Sequence, residues 1–144
     1  MNELYFFTGN LLLLFISVHL TLYFYLKYKC KSFFNSIRNR QYTLIKKVET
    51  EVEGYSRLGS KIRYSNSDIA FLDNEIFILT FNRAVLQLTK SKEFFPDIFY
   101  KYSYDLKIKV NDRLEIRNSD GSMKVSLNFK NKNFDLQHYL NESR

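Results

Sequence analysis

The sequence has one cysteine, one proline, four glycines and no tryptophan in 144 residues. A lone Cys30 excludes an intramolecular disulfide framework and any Cys-pair zinc site. Its place just after an apolar run fits juxtamembrane S-palmitoylation, against the plainer reading of a free thiol. Catalytic signatures are missing as well: there is no Gly-rich phosphate loop, no G-x-S-x-G, no H-E-x-x-H and no Cys-x-x-Cys. The only two histidines, His19 and His138, fall in different parts of the chain. Asp68, Asp73, Asp112 and Asp120 all adjoin turn residues, where Asp favours the backbone geometry for its own reasons. These absences predict a non-enzymatic chain with no cofactor and no metal.

Formal charge is missing from residues 4–26, LYFFTGNLLLLFISVHLTLYFYL. That run has three readings: a cleaved export signal, a buried helix of a soluble domain, or a membrane span. A hydrocarbon core about 30 Å thick takes about 20 helical residues, which the run supplies. A signal peptide needs a basic start, a shorter apolar stretch and a small-residue cleavage site. Here Met1, Asn2 and Glu3 precede the run and YLKYKCK ends it. A buried helix would carry a polar face, and only Thr8, Asn10, Ser17, His19 and Thr21 interrupt the apolar surface. Aromatic residues mark both ends, Tyr5, Phe6 and Phe7 at one and Tyr23, Phe24, Tyr25 and Tyr28 at the other, as in interfacial belts. A transmembrane helix is therefore expected at 4–26, with His19 as a tolerated polar residue inside it.

The net charge of +7 is uneven. Residues 1–40 hold five Lys or Arg against one acid, and residues 41–144 hold seventeen against fourteen. The distal excess is too slight for nucleic acid, which shows as a strongly basic face. Lys27, Lys29, Lys31, Arg38 and Arg40 follow the span on one side only, so the positive-inside rule puts the short N-terminus (1–3) outside and the remainder in the cytoplasm. These five residues are candidate contacts to the bilayer surface.

Residues 27–54 then read as a basic juxtamembrane stalk. Leu44, Ile45, Val48 and Val52 have helical spacing and Gly54 is placed to stop a helix. Alternation through Tyr42, Leu44, Val48 and Val52 keeps a strand open, and helix is the expectation.

From about residue 55 the pattern is β, with short apolar or alternating runs such as DIAFL, EIFILTF, AVLQL, RLEIR and SMKVSLNF. Breaks are expected at Asn66, Asp73 with Asn74, Asn82, Asn111 with Asp112, and Asp120 with Gly121. A two-residue turn at Asp120 and Gly121 pairs Ile116 with Val125, Leu114 with Leu127, Arg117 with Lys124 and Glu115 with Ser126, keeping apolar and polar faces apart. At Asn111 the same logic favours an odd loop or bulge, because a two-residue turn would set Ile108 against Glu115. The alternation from Tyr100 to Val110 is about 36 Å long at 3.3 Å per residue and should bend. A short C-terminal helix is expected from Leu136, Tyr139 and Leu140, with Asn133 as N-cap. Asn141, Glu142 and Ser143 form a glycosylation sequon that a cytoplasmic placement would leave unused.

About seven antiparallel strands followed by one helix, with DIAFLDNEIFILTFNRAVLQL as a central meander, resemble the pleckstrin-homology-like (PH-like) superfold, including GRAM-like and bacterial variants. The resemblance spans roughly residues 55–140 and implies a partly open barrel plugged by the last helix. Small bacterial membrane proteins with a cytosolic PH-like domain look similar in outline, and the richness in Phe, Tyr, Asn and Lys suits an AT-rich bacterial coding sequence. Under that resemblance Lys61, Arg63, Lys101, Lys107 and Lys109 are candidates for phosphate headgroups or an acidic protein, against an ordinary wet sheet face. Phe94 and Phe95 beside Pro96 are expected to tuck over the barrel end.

The expected architecture is thus an N-terminal transmembrane helix plus a mainly-β, PH-like domain over 55–144. The expected function is a single-pass binding or scaffold module at the cytoplasmic face of a bacterial inner membrane, engaging a protein or lipid partner and no nucleic acid. The alternative is an exported or periplasmic β-barrel-like ligand-binding domain, with the first segment as signal or signal-anchor.

Overall fold

Without charge or proline to interrupt it, the N-terminal run folds as one helix that continues well past the apolar residues. A computed structural model of the chain describes residues 2–54, 61–80, 84–91, 93–95, 98, 100–130 and 132–136. Helix α1 (Asn2–Ile37) is followed by strands β1 (Thr43–Glu53), β2 (Lys61–Leu72), β3 (Glu75–Leu79), β4 (Val85–Thr89), β5 (Tyr100–Ser103), β6 (Leu106–Val110), β7 (Arg113–Arg117) and β8 (Lys124–Asn128). The strands form one open, mixed sheet in the order β5-β4-β3-β2-β1-β8-β7-β6, with β4 and β5 parallel and the other pairs antiparallel.

The helix expected up to residue 53 stops at Ile37, and residues 43–53 are strand. From Val48 onward, Val48, Thr50 and Val52 are buried on one face while Glu49, Glu51 and Glu53 stand on the other, a period of two built on β-branched residues. Helical spacing misled because β1 carries a bulge. Its register against β2 shifts between Ile45 and Val48 and again between Val48 and Thr50, so Ile45 and Val48 face the same core although three apart. Gly54 ends a strand, with φ +83, and does not stop a helix. Asn66 lies inside β2 at the same irregularity and separates no strands.

The β7–β8 hairpin has the expected register, with Leu114 opposite Leu127, Glu115 opposite Ser126, Ile116 opposite Val125 and Arg117 opposite Lys124. The β6–β7 hairpin does not. Val110 pairs with Arg113 and Ile108 with Glu115 across a two-residue turn in which Asn111 adopts φ 55, a left-handed conformation that Asn tolerates. The expected odd loop is absent. Mixing faces costs little here because β6 is an edge strand: Leu106 and Val110 stay 45 % and 44 % exposed, and Lys107 and Lys109 stand opposite Ile116 and Leu114.

The 100–110 alternation does bend, at Tyr104 and Asp105. The Tyr104 N–H donates to the Thr89 carbonyl and the Asp105 N–H to the Arg117 carbonyl, at 2.9 and 3.2 Å. Two consecutive residues thus touch opposite halves of the sheet, so its two edges meet at one corner and the sheet curls about its inner face. That face is filled by Val48, Val52, Ile69, Phe71, Ile76, Ile78, Leu86, Leu88, Leu114, Ile116, Val125 and Leu127. Among residues 132–136 there is no helix; Phe134 stacks on Phe71 with ring centroids 5.5 Å apart, and Leu136 is buried in the same core. The expected C-terminal helix beyond Leu136 lies outside the described residues, as do the break at Asn82 and Pro96.

Candidate functional site: the seam between helix and sheet

Strands β2 to β4 alternate between two apolar sets. The inner set joins the core, and the outer set, Ala70, Leu72, Phe77, Leu79 and Val85, would lie open to water if nothing covered it. The last turns of α1 cover it. Phe33 and Ile37, spaced four apart on one helix face, are buried against this outer set, with Cys30 and Phe34 partly buried beside them. Phe33 lies 4.6 Å from Phe77 between ring centroids, and Phe95 closes the cluster at 5.3 Å from Phe77 and 6.3 Å from Phe33.

A polar network holds Phe95 in place. Gln87, fully buried on β4, accepts the Phe95 N–H at 2.9 Å and donates to Glu75 and to the Glu93 carbonyl. Thr89 donates to the same Glu75 carboxylate at 2.6 Å. The Tyr104 hydroxyl donates to the Asn74 carbonyl, and burial first, then the Glu75 charge, pushes its pKa up to about 12. Phe95 is tucked in as expected, whereas Phe94 remains exposed beneath the Lys101 ammonium.

Two contacts fix the direction of the helix on the sheet. Phe33 meets Phe77, while Arg40, just beyond the helix, reaches Asp73 at 4.0 Å and lies over Phe95. Advancing along α1 therefore means going back along the β2–β3 hairpin, so α1 and β3 run in opposite directions. The Leu79 end of β3 points toward the apolar part of α1. The whole helix is about 54 Å long at 1.5 Å per residue, and a 30 Å hydrocarbon core uses about 20 of its residues.

Tyr5–Ile37 is long and apolar enough to cross a membrane. The large apolar side chains from Tyr5 to Tyr25 are 41–75 % exposed, and Leu26 is partly buried. Three of its polar side chains bond within the helix: His19 Nδ1 donates to the Phe15 carbonyl at 2.9 Å, Ser17 to Leu14 and Thr21 to Ser17.

The residues singled out from the sequence separate into distinct places. Lys27, Lys29 and Lys31 lie on α1 just after the apolar run, with Lys29 over the Tyr25 ring. Arg38 and Arg40 lie further along, past the helix end, where Arg40 belongs to the seam. Lys61 is paired with Glu51 and Glu53, and Arg63 with Glu49, across β1 and β2. The Arg63 hydrogen bond, followed by that of Asn128, lowers the Glu49 pKa. Lys101 is on β5 and Lys107 and Lys109 on β6, the edge strands that meet at the Tyr104–Asp105 corner, whereas Lys61 and Arg63 are on β2 in the middle of the sheet, so these five do not form one surface. Glu49, Glu51, Arg63, Arg113, Ser126 and Asn128 line a depression of about 30 Å³, room for a single water. No group of three or more His, Cys, Asp or Glu able to hold a metal occurs among the described residues.

Sequence reading missed Phe33, Ile37, Glu75 and Gln87. The signal for the first two was present, because strands apolar on both faces require a second cover and Phe33, Phe34 and Ile37 form an apolar helical face. Comparison with family models, with curated proteins and with solved structures returns no match.

Proposed function

We propose that this chain is a single-pass, non-enzymatic binding module at the cytoplasmic face of a bacterial inner membrane, its barrel clamped to its own anchor. The observation that carries this reading is the division of α1, whose last turns are buried on the sheet while the preceding apolar residues find no protein cover. An exposed apolar cylinder of that length is stable in lipid and not in water. The helix runs unbroken from the apolar part into the docked part, which favours an anchor over a cleaved signal. Lys27, Lys29 and Lys31 on one side favour a cytoplasmic barrel. Each would add about 1 kcal/mol of attraction to an anionic leaflet.

A four-stranded meander, β1 to β4, followed by a three-stranded meander, β6 to β8, that returns to β1 supports a PH-like reading of the domain. A protein or lipid is then the partner class, met at high effective concentration because the module is tethered.

Topology tests the proposal. A reporter fused after Arg144 should be active in the cytoplasm, and the protein should stay with membranes through alkaline extraction. Periplasmic activity, or a mature N-terminus near Cys30, would replace this reading with an exported domain.

A further inference from the structure

The bulge in β1 carries two lysines, and the helix direction fixes where they lie. Thr43 pairs with Phe71, two residues before Asp73, so β1 starts at the Arg40 end of the seam and runs back toward the apolar part of α1. Leu44 points outward into the cluster that holds Cys30 and Phe34. Three strand residues from Thr43 to Lys46 cover about 10 Å, the rise of about seven helical residues. Counted back from Ile37, that is the level of Cys30. Lys46 and Lys47, both exposed, therefore stand beside α1 at the depth of Lys29 and Lys31.

At this level β1 changes direction. Lys47 adopts φ 57, and its N–H donates to the Asp68 carboxylate at 3.1 Å. Bulges bend a strand and re-aim its side chains. If β1 ran straight on, Glu49, Glu51 and Glu53 would climb alongside the apolar helix within about 10 to 20 Å. Instead, β1 turns to pair with β8 as well as β2, and those acids are matched by Arg63 and Lys61. Two lysines are left at the corner. The nearest acid is Asp68, which already accepts the Lys47 amide; Glu49, next along, is held by Arg63 and Asn128.

We infer that the Lys46–Lys47 bulge is a second membrane-surface contact, resting on the anionic phospholipid headgroups of the leaflet that Lys27, Lys29 and Lys31 border. The barrel then touches the bilayer at two points, the helix exit and the β1 corner, and lipid charge sets its tilt. This inference rests on α1 being a span.

The test uses the full chain in nanodiscs of phosphatidylcholine alone or mixed with phosphatidylglycerol. Amine acylation is quantified by mass spectrometry at Lys46 and Lys47, with Lys90 as reference. Lys90 is exposed and directly follows β4 at the end near Glu75, away from the apolar part of α1. Relative to Lys90, labelling of Lys46 and Lys47 should fall at least about threefold in anionic discs, with the loss reversed by salt. Equal labelling in both disc types overturns the inference while leaving the anchor intact. Protection that is the same in both lipids and insensitive to salt means protein occlusion and also overturns it. Failure of the chain to enter discs at all overturns the anchor reading and this inference with it.

Discussion

Strands β2 to β4 and strands β6 to β8 belong to one sheet yet are built differently. In the first group successive residues are buried on both faces; in the second, buried Leu114, Ile116, Val125 and Leu127 alternate with partly exposed or exposed neighbours. A strand that is apolar on both faces needs a layer on each side, and a strand that alternates needs only one. The second layer here is the end of α1. The half of the sheet that is covered twice is thus the half that couples the sheet to the helix, and the half that is covered once is left to face solvent.

The largest expected effect comes from removing that cover. Phe33→Ala deletes a buried ring packed on Phe77 and Phe95 and should cost about 3 to 5 kcal/mol. With no tryptophan in the chain, far-ultraviolet circular dichroism in urea-containing micelles reads the loss. Hydrogen exchange should rise in β2 to β4 and stay unchanged in β6 to β8. Equal acceleration in both groups would mean that the two halves do not differ in what holds them.

How much of this contrast could be read in advance depends on the local rule at each place. The β7–β8 register followed from centring the connection on Asp120 and Gly121, since only one register keeps the hairpin's apolar face intact, although the loop is longer than the expected two residues. The β6–β7 register did not, since an edge strand tolerates apolar residues facing out and no penalty enforced the expected odd loop. Strand β1 was disguised by its bulge, which converts a period of two into a spacing of three between Ile45 and Val48. The long apolar helix was evident from the length and composition of its run. The seam was not, because it joins Phe33 to Phe77 and Phe95 across 44 and 62 positions of sequence, and no local pattern names the partner of an apolar face.

A smaller effect probes the point where β1 passes from one half to the other. Gly54 has φ +83, and a Cβ placed on it would lie 2.0 Å from the Ser122 carbonyl oxygen, a backbone atom that cannot swing aside. Gly121, in the β7–β8 turn, has φ +72 with open space around it. Gly54→Ala should therefore cost at least about 2 kcal/mol, combining conformational strain with the clash, whereas Gly121→Ala should cost about 1 kcal/mol from conformation alone. Equal urea midpoints for the two variants would show that β1 and the β7–β8 turn are not in contact.

The smallest effect sits at the corner where the two edges of the sheet meet. Tyr104 lies between Thr89 of the doubly covered half and Arg117 of the other, reached through its own amide and that of Asp105. Its hydroxyl donates to Asn74, and Tyr104→Phe should cost about 0.5 to 1.5 kcal/mol by leaving that carbonyl without its partner. Burial and the nearby Glu75 charge raise the phenol from an ordinary value of 10.0 to about 12 in the folded chain. Between these values the folded state holds a proton that the unfolded state has released, so the stabilisation is complete below pH 10 and is lost as pH rises toward 12. Ultraviolet phenolate titration of the wild type should show a late-ionising tyrosine that is absent from Tyr104→Phe, and the urea midpoint of the variant should fall less steeply across that window. A variant with the same alkaline slope as the wild type would show that the corner where the edges meet is open to water, and that the sheet is held closed by its inner core alone.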